Sequence, residues 1–406
     1  MARAMKDSGI AWIGEIPEEW GTRRLRYLCR LATGNQDTQD NNPDGIYPFY
    51  VRSPIVERSN SYTFDGPAIL MAGDGVGAGK VFHFVDGKYA CHQRVYSLHN
   101  IVDIDRRFLY YYLQNRFYIS IETANSKSTV DSVRLNMLQD FPVMMPDTSE
   151  QFRIAQFLDT ECARIDALIE QTRASIEEYK KLKQAVITQA VTKGIRPNRP
   201  MKDSGIDWIA QIPKEWDVLR GKWLFHETDE RSEDGKEELL TVSHITGVTP
   251  RSQKNVNMFM SESLVGYKIC RVNDIAANTM WMWQGAIGVS KYHGVISPSY
   301  NTYRQTNNQY NPDYLDYLLR IRPLVDTYNA NSTGITASRL RLYPDRFLSI
   351  LFPIPPMNEQ IEIAAYLNEK TGGIEKLIEK KEQYLSELEN YKKSLIYEYV
   401  TGKKQL

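Results

Sequence analysis

A tandem repeat organises this chain of 406 residues. Residues 5–20 read MKDSGIAWIGEIPEEW and residues 201–216 read MKDSGIDWIAQIPKEW, so 12 of 16 positions agree at an offset of 196. Residues 150–192 and 359–401 form a second pair, with 14 identities in 43 positions at an offset of 209. Self-similarity at a fixed spacing indicates repeated structural units. Each half therefore consists of a short motif, a variable block and a long repeated block.

The long repeated blocks predict one extended helix in each half. Apolar residues recur at alternating steps of about three and four, which is typical of a helix that packs along a partner helix. Neither block contains proline, whereas Pro146 and Pro356 precede them as helix breakers. We expect two helices of about 40 residues, roughly 60 Å long, that pair with each other. The predicted seam consists of Leu158, Ile165, Ile169, Thr172, Ile176, Tyr179, Leu182 and Val186, matched by Leu367, Ile374, Ile378, Lys381, Leu385, Leu388, Tyr391 and Leu395.

One matched seam position is polar in both halves, with Thr172 in the first and Lys381 in the second. A polar seam residue can fix the register of two helices at some cost in stability. Alternatively, these side chains reach solvent at the edge of the seam.

The variable blocks read as strands and turns. Short apolar runs at residues 68–71, 81–85 and 94–98 are separated by clusters of Gly, Asn, Asp and Pro. One short helix is expected in each block, at residues 106–115 and 312–321. Strand-rich blocks beside long helices predict an α+β fold.

The balance of charge limits how the chain can bind nucleic acid. Lys plus Arg number 50 and so do Asp plus Glu, which excludes coating of DNA or RNA through charge alone. Any such contact must be local or shared with a partner. The four cysteines lie far apart without a zinc-binding spacing, and no apolar run approaches the roughly 18 residues of a membrane span. These features predict a cytoplasmic protein without a metal site or membrane contact.

Two motifs resemble catalytic signatures but fail in their context. Residues 73–80 read GDGVGAGK, yet a P-loop requires Gly at Asp74 and Ser or Thr at Val81, and the following residues favour a strand over the helix of a dinucleotide-binding turn. A glycine-rich hairpin tip near a DNA backbone, or a flexible turn, fits better. Asn311-Pro312-Asp313-Tyr314 resembles the Asn-Pro-Pro-Tyr motif of amino-methyltransferases, but a helix start explains it more simply. We expect no catalytic residues.

The duplication itself suggests a ligand. Two similar modules joined by antiparallel helices can adopt a pseudo-twofold arrangement, which suits duplex DNA because its dyad mirrors protein twofold symmetry. Since the middle blocks differ most between the halves, the two half-sites should differ and the target should be asymmetric and bipartite.

The repeated motifs also carry a family resemblance over essentially the whole chain. MKDSGI-W---IP-EW opening each half, followed by P---EQ---A--L at the entry to a long helix that ends in Val-Thr, resembles the specificity (S) subunits of Type I restriction-modification systems. The resemblance implies two mixed α/β target-recognition domains separated by an antiparallel coiled coil. On this basis we divide the chain into a first target-recognition domain at 1–149, a central helix at 150–193, a linker with the second domain at 194–357, and a C-terminal helix at 358–406.

The same resemblance implies partners and a role in phage defence. The S subunit would bind double-stranded DNA and two methyltransferase (M) subunits, which bring S-adenosylmethionine and the adenine-methylating site, and restriction (R) subunits can join the assembly. This chain would hold no cofactor and perform no catalysis. The alternative is a coiled-coil scaffold that joins protein partners without reading sequence.

Candidate DNA-contacting residues were chosen by side-chain chemistry, because Arg, Lys, Asn, Gln and small hydroxyls read base edges or grip phosphates. Exposed polar loops that are simply solvated offer the competing interpretation, and tryptophans such as Trp281 and Trp283 more often pack than stack on bases. An arginine cluster at 23–30 fits either phosphate contact or a solvated face. The candidates are Lys80, His92, Gln93, Arg94, Asn125, Ser126, Lys127 and Ser128 in the first half, and Trp283, Gln284, Lys291, Ser299, Tyr300, Asn331, Ser332, Thr333 and Arg339 in the second.

Overall fold

The chain forms two compact units, each of which takes part of both long helices. A computed structural model describes residues 3–124, 132–254, 263–334 and 340–406. Unit 1 comprises Met1–Arg173 and Gln383–Leu406, and unit 2 comprises Ala174–Glu382. Within the part of the chain that the structure describes, no helix is both long and apolar enough to span a membrane.

The first half of the chain contains twelve described strands and four described α-helices. The strands are β1 (Met5–Asp7), β2 (Glu15–Pro17), β3 (Gly21–Arg24), β4 (Arg30–Thr33), β5 (Tyr47–Tyr50), β6 (Val56–Ser59), β7 (Phe64–Asp65), β8 (Ala68–Ala72), β9 (Phe82–Val85), β10 (Lys88–Cys91), β11 (Val95–His99) and β12 (Pro142–Met145). The helices are α1 (Arg106–Arg116), α2 (Tyr118–Ala124), α3 (Leu135–Gln139) and α4 (Thr148–Lys193).

The second half contains twelve described strands and five described α-helices. The strands are β13 (Met201–Ile206), β14 (Ile209–Pro213), β15 (Asp217–Arg220), β16 (Phe225–Thr228), β17 (Leu240–Ser243), β18 (Gly247–Pro250), β19 (Lys268–Cys270), β20 (Ile275–Ala277), β21 (Ile287–Val289), β22 (Gly294–Ile296), β23 (Asn301–Gln305) and β24 (Leu351–Ile354). The helices are α5 (Gly221–Leu224), α6 (Pro312–Leu319), α7 (Arg322–Asn331), α8 (Pro344–Ser349) and α9 (Met357–Val400).

The two units share a strand order that extends into the divergent variable blocks. In unit 1 a four-stranded antiparallel sheet runs β4-β11-β8-β9, and in unit 2 the equivalent order is β16-β23-β20-β21. The opening motif of each repeat forms a hairpin, β1-β2 or β13-β14. A two-stranded ladder, β3-β12 or β15-β24, brings the start of each variable block to the strand that precedes a long helix. The duplication is therefore structural as well as sequential.

The central strand β8 is buried on both faces. Ile69 and Met71 join the main core of unit 1, whereas Ala68 and Leu70 pack in a second cluster with Val85 and Tyr89. A strand covered on both faces has a continuous run of apolar residues in its sequence, instead of alternating apolar and polar residues. This explains why residues 68–72 are apolar throughout.

A buried carboxylate fastens the opening hairpin of unit 1 to the start of α4. The indole of Trp20 is fully buried, and its Nε1 donates to Oε2 of Glu150 at 2.9 Å. The Arg3 guanidinium donates to both carboxylate oxygens of Glu150, at 2.6 and 2.8 Å, and its Nε donates to Glu19 at 2.6 Å. The Glu150 carboxylate raises the pKa of Arg3 above its usual value. We call Arg3, Trp20 and Glu150 the joint of unit 1.

Unit 2 repeats this joint with Arg199, Trp216 and Glu359. Trp216 is fully buried and its Nε1 donates to Glu359 Oε2 at 3.1 Å. Arg199 donates to both oxygens of Glu359, with 3.2 Å between Nη2 and Oε2, and it also reaches Glu215. Arg3 and Arg199 are also 196 residues apart, and both lie just upstream of the aligned motif. The repeat therefore extends further than the identities at 5–20 suggest.

The glutamine that follows each joint glutamate holds the variable block against the long helix. Gln151 accepts from the backbone N–H of Asp105 at 2.7 Å, and Gln360 accepts from that of Asn311 at 2.8 Å. Asp105 and Asn311 are the N-caps of α1 and α6. The Asn311 side chain caps Asp313 and Tyr314, so the prediction of a helix start at Asn311-Pro312 is confirmed.

Inside each unit the long helices run antiparallel. In unit 1, Asp166 pairs with Lys392 at 2.6 Å and Arg173 pairs with Glu389 at 2.9 Å. In unit 2, Lys183 of α4 pairs with Glu375 of α9, and Arg196, just past the end of α4, pairs with Glu362 at 2.8 Å. Helix α4 has 46 residues and α9 has 44, and both start just after the predicted proline breakers. The prediction of two long helices is confirmed.

The predicted seam is right for most positions and wrong for two. Leu182 and Tyr391 occupy equivalent positions but are 48% and 50% exposed. A 3.6-residue turn drifts against a strict seven-residue spacing, so the buried stripe moves to Ile187, Ala190 and Val191 towards the end of α4. Thr172 is buried and its hydroxyl donates to Leu168 O at 2.7 Å, so it does not reach solvent at the seam edge.

The expectation of one short helix per variable block is also wrong. The predicted helices are present as α1 and α6, but α2 and α3 follow the first and α7 and α8 follow the second. Pro323 and Pro344 lie in the first turns of α7 and α8, where proline is favoured because its missing N–H would be unpaired anyway. Pro323 and Pro344 are therefore the sequence features that could have indicated α7 and α8.

The joint predicts a large stability loss on removal of its carboxylate. Glu150→Ala should lower the free energy of unfolding by about 3 kcal/mol, because the buried indole N–H of Trp20 and the partly buried guanidinium of Arg3 both lose the Glu150 acceptor. Glu150→Gln should cost less, since the amide oxygen can still accept from the indole. Urea titration followed by tryptophan fluorescence measures both.

A matched control is Glu177→Ala, which removes an exposed carboxylate of the same helix that pairs with Lys180 at 2.9 Å. An exposed pair contributes little, so the control should stay within about 0.5 kcal/mol of the parent protein. Equal losses for Glu150→Ala and Glu177→Ala would show that the joint does not hold the unit together.

Candidate nucleic-acid interface

Some of the candidate DNA-contacting residues lie at or beside one hairpin tip in each unit. In unit 1 the tip connects β8 to β9, and in unit 2 it connects β20 to β21. Because the two sheets share their strand order, these tips occupy equivalent positions. Their sequences differ completely, with GDGVGAGKV at 73–81 and NTMWMWQGA at 278–286.

Glycines in the tip of unit 1 let its backbone pack closely against a neighbouring backbone segment. A Cβ on Gly77 would lie 2.3 Å from the carbonyl oxygen of Arg52, and Gly79 has φ +62°. Val76 at the apex is 95% exposed. The tip leads into the strand β9 rather than a helix, so the hairpin interpretation is confirmed and the backbone lacks the helix of a dinucleotide-binding turn.

The turn at residues 92–94 lies beside this tip. The backbone N–H of Gly73 donates to Arg94 O at 2.8 Å, and the guanidinium of Arg94 approaches Asp74 at 3.7 Å. Arg52 also donates to Asp74, at 3.1 Å. Arg94 remains largely exposed. The Asp74 carboxylate therefore orients the guanidinium groups of Arg52 and Arg94 at the edge of the tip. Sequence reasoning missed Arg52 and Asp74, although Asp74 lies inside the glycine-rich motif.

His92 positions the turn from within the protein. Its side chain is buried at 3% exposure, Nε2 lies 3.2 Å from Asp37 Oδ1, and Nδ1 accepts from the backbone N–H of Arg94 at 3.0 Å. The exposed Gln93 donates to the other oxygen of Asp37 at 3.1 Å. Both ring nitrogens of His92 are thus engaged inside the unit, whereas Gln93 and Arg94 face solvent. A direct DNA contact by His92 stays a prediction that this conformation does not favour.

Asp37 is a second residue that sequence reasoning missed. The backbone N–H of Thr38, with a smaller contribution from His92, lowers the pKa of the Asp37 carboxyl below its usual value. A carboxylate that stays ionised keeps the turn at 92–94 attached to the segment that follows β4. No local motif marks this role in the sequence.

Lys80 lies at the base of the same tip. Its ammonium is 4.1 Å from the ring centroid of Tyr118 on α2, a favourable cation–π distance. It also lines a cavity of about 700 Å³ with residues of α1, α4 and α9 that belong to unit 1, including Asn115, Arg173 and Lys392. Lys80 therefore connects the tip to the helices.

The tip of unit 2 is a rigid, tryptophan-containing turn. The buried Asn278 accepts from the backbone N–H of Met280 at 3.2 Å and donates to the hydroxyl of Tyr300 at 2.8 Å. Gly285 closes the turn with φ +89°. Trp281 and Trp283 stack with their ring centroids 6.2 Å apart and their planes 15° apart. Asn278 was missed because only its position after β20 reveals its role.

Residues 297–300 lie beside this tip, as the turn at 92–94 does in unit 1. The hydroxyl of Thr279 donates to Ser299 O at 2.7 Å. Burial raises the pKa of Tyr300 above its usual value, so its hydroxyl stays protonated while it accepts from Asn278. The structure thus brings together Trp283, Gln284, Ser299 and Tyr300 as predicted, with Gln284 half-buried in the turn.

Lys291 is placed apart from the other candidates of unit 2. It follows the far end of β21, where its ammonium pairs with Asp313 at 3.0 Å, a contact that raises the pKa of Lys291. It lines a cavity of about 730 Å³ together with Lys183, Arg320 and Glu375 of the same unit.

Asn331 ends helix α7, and Ser332 and Thr333 follow it. Asn331 is the last residue of α7 and donates to Thr327 O at 2.9 Å, while Ser332 donates to Tyr328 O at 2.7 Å. Thr333 forms an antiparallel bridge with Arg341. The loop assignment was wrong for Asn331, because α7 itself went unpredicted. Asn125, Ser126, Lys127, Ser128 and Arg339 lie outside the described residues.

The arginine cluster at the start of unit 1 is paired with acids. Arg23 contacts Asp103 at 2.7 Å, Arg24 contacts Asp140 at 3.0 Å, and Arg26 also contacts Asp140. These exposed pairs favour the interpretation of a solvated face. Among the described residues, no group of three or more His, Cys, Asp or Glu side chains is placed to hold a metal ion.

Known proteins similar to this chain are specificity subunits. A family model described as the Type I restriction modification DNA specificity domain matches residues 17–178. The specificity subunit of the Escherichia coli type I restriction enzyme EcoDI is 35% identical over 182 residues, which cover 44% of this chain and 39% of that protein. The MjaVIII specificity subunit of Methanocaldococcus jannaschii is 22% identical over 417 residues, covering 96% of this chain and 93% of that protein.

This chain is similar to the specificity subunits of type I restriction-modification systems. A solved structure described as "Structural basis underlying complex assembly and conformational transition of the type I R-M system" contains a chain of similar fold, with TM-score 0.69 and 15% identity, covering 96% of this chain and 99% of that one. The resemblance noted in the repeated motifs is thereby confirmed. Specificity subunits recognise DNA sequence and are not the catalytic subunits of their complexes. The alignment spans 39% of the length of the E. coli relative, less than half of that protein.

Proposed function

We propose that this specificity subunit reads an asymmetric bipartite DNA target, with one half-site for each unit. The observation that carries the proposal is the contrast between equivalent tips. The same sheet order presents glycines, Val76 and Arg94 in unit 1, but stacked tryptophans and Tyr300 in unit 2. Base edges in the major groove differ in hydrogen-bonding and methyl groups, so unlike tips select unlike sequences.

The arrangement of the units forms the second part of the proposal. From the family resemblance we propose that the long helices form an antiparallel coiled coil between two target-recognition domains in a pseudo-twofold arrangement. Opposed reading units then match the opposed strands of duplex DNA.

The proposed partners are two methyltransferase subunits and, in a complete system, restriction subunits. A formal net charge of zero leaves little excess of phosphate-neutralising cations, so the complex rather than this chain alone should provide much of the affinity for DNA. The methyltransferase subunits would supply S-adenosylmethionine and adenine methylation, and the assembly would act on cytoplasmic DNA. Features common to both units, such as the joint, suit an assembly that binds the same partner twice.

Exchange of one variable block tests whether each unit reads its own half-site. Residues 21–149 lie between Trp20 and Glu150, so they can be replaced by the corresponding block of another family member while the joint is retained. We expect the first half-site to change and the second to persist, as measured by selection from randomised duplexes with the methyltransferase-bound complex.

The matched control exchanges residues 217–358, which lie between Trp216 and Glu359, and should change only the second half-site. If both half-sites changed in either exchange, the units would not read independently. A parent complex that enriches no sequence at all would instead support the alternative, a protein scaffold that does not read DNA.

Lengthening the helices tests whether they set the spacing of the half-sites. Four residues inserted after Arg173 and four after Glu382 add about one turn, roughly 6 Å, to each helix at equivalent positions. Since base pairs are about 3.4 Å apart, the gap between unchanged half-sites should grow by roughly one to two base pairs in the same selection.

A control of unchanged length replaces Glu177, Glu178, Lys180 and Lys181, all exposed on α4, by alanine. It should preserve the gap. A changed half-site, or an unchanged gap after the double insertion, would contradict the role of the helices as a spacer.

A further inference from the structure

Trp281 is exposed although the turn around it is tightly constrained. Its side chain is 48% exposed, and the neighbouring Met280 is 40% exposed. Met282, the next residue, is fully buried and anchors the tip in the core of unit 2. Trp281 and Met280 together form a small exposed apolar surface on one constrained tip, and a contiguous apolar surface can mark a contact site.

Trp283 supports Trp281 from behind. It is half-buried, and its Nε1 donates to Met280 O at 3.0 Å, so its polar atom is satisfied within the tip. Because the two indoles stack in nearly parallel planes, the ring of Trp283 limits the rotation of Trp281. A preorganised aromatic side chain loses little conformational entropy when it binds.

The backbone of the tip is held from two sides. Asn278 and Thr279 bond Tyr300 and Ser299, and a Cβ on Gly285 would lie 2.9 Å from Val325 on α7. Backbone bonds from Trp281 N to Asn278 O and from Ala286 N to Trp281 O, at 2.9 and 3.2 Å, close the turn on either side of the indole. The position of Trp281 is thus set by the fold of unit 2 rather than by a mobile loop.

We propose that Trp281 is a specificity-determining residue, whose indole contacts the 5-methyl group of a thymine in the half-site read by unit 2. This inference rests on the proposed function and deepens it. A two-stranded hairpin fits the major groove, where the thymine methyl is the apolar group that distinguishes one base pair from the others. Val76 is the apolar side chain at the equivalent tip of unit 1, so each unit presents a different apolar group at the same place.

The test compares Trp281→Ala with Trp223→Ala, which removes a tryptophan of the same unit that is 62% exposed on α5, away from the tip. Both variants are assembled as full chains with the methyltransferase subunits and used in selection from randomised duplexes. Trp281→Ala should lose the preference for thymine at one position of the second half-site, with roughly tenfold weaker discrimination, and keep the first half-site. Trp223→Ala should keep both.

Replacement of thymine by uracil in the selected duplex removes only the methyl group and needs no protein variant. The parent complex should bind roughly tenfold more weakly when one particular thymine of the second half-site is replaced, and Trp281→Ala should be insensitive to that replacement. Because the parent protein is used, the result stands even where Trp281→Ala lowers the melting temperature.

Three outcomes would overturn the inference: a second half-site without thymine on either strand, parent binding that is unchanged at every uracil replacement, or a Trp281→Ala complex with the parent's base preferences. In each case the parent complex still enriches two blocks, so the proposed function survives. A parent complex that enriches no sequence would overturn the proposed function itself.

Discussion

The fold depends on a buried carboxylate at the start of each long helix. Glu150 and Glu359 accept from a fully buried tryptophan and from an arginine that reaches both carboxylate oxygens. A buried ion is stable only when its partners are present, so the opening motif and the helix entry cannot be separated without a large loss. The adjacent Gln151 and Gln360 extend this constraint to α1 and α6, which pack against β8 and β9 or against β21. The carboxylate thus determines where each reading tip lies relative to its helix.

A common frame with unlike tips explains how one duplicated gene product can recognise an asymmetric target. Residues that define the frame recur at offsets of 196 and 209, whereas the tips at 73–81 and 278–286 share no chemistry. The tips of the variable blocks can diverge without loss of the unit, because the joint and the adjacent glutamines that fasten each block to its long helix come from the repeated segments. In the proposed function, recognition and stability are therefore carried by different residues.

The long helices and the strands at 68–72 and 95–99 were predictable because their periodicity or apolar runs are local. The sequence indicates only part of the joint. Trp20 and Glu150 lie in repeated motifs, but their contact spans 130 residues, so no local pattern reveals it. Leu182 was misplaced because seam spacing drifts along a straight helix, and α7 was missed despite Pro323. Side-chain chemistry selected Gln93 and Arg94, and the fold places them beside the glycine-rich tip, whereas Asp37, Asp74 and Asn278 act through partners that only the folded chain brings together.

The central claim, that two unlike units read two unlike half-sites, is tested most directly by mapping methylated adenines across the genome of a cell that makes this system. The methylated sites should share two different fixed blocks, separated by a constant number of unspecified base pairs. A single continuous recognition sequence, two identical inverted blocks, or a gap that varies from site to site would contradict it.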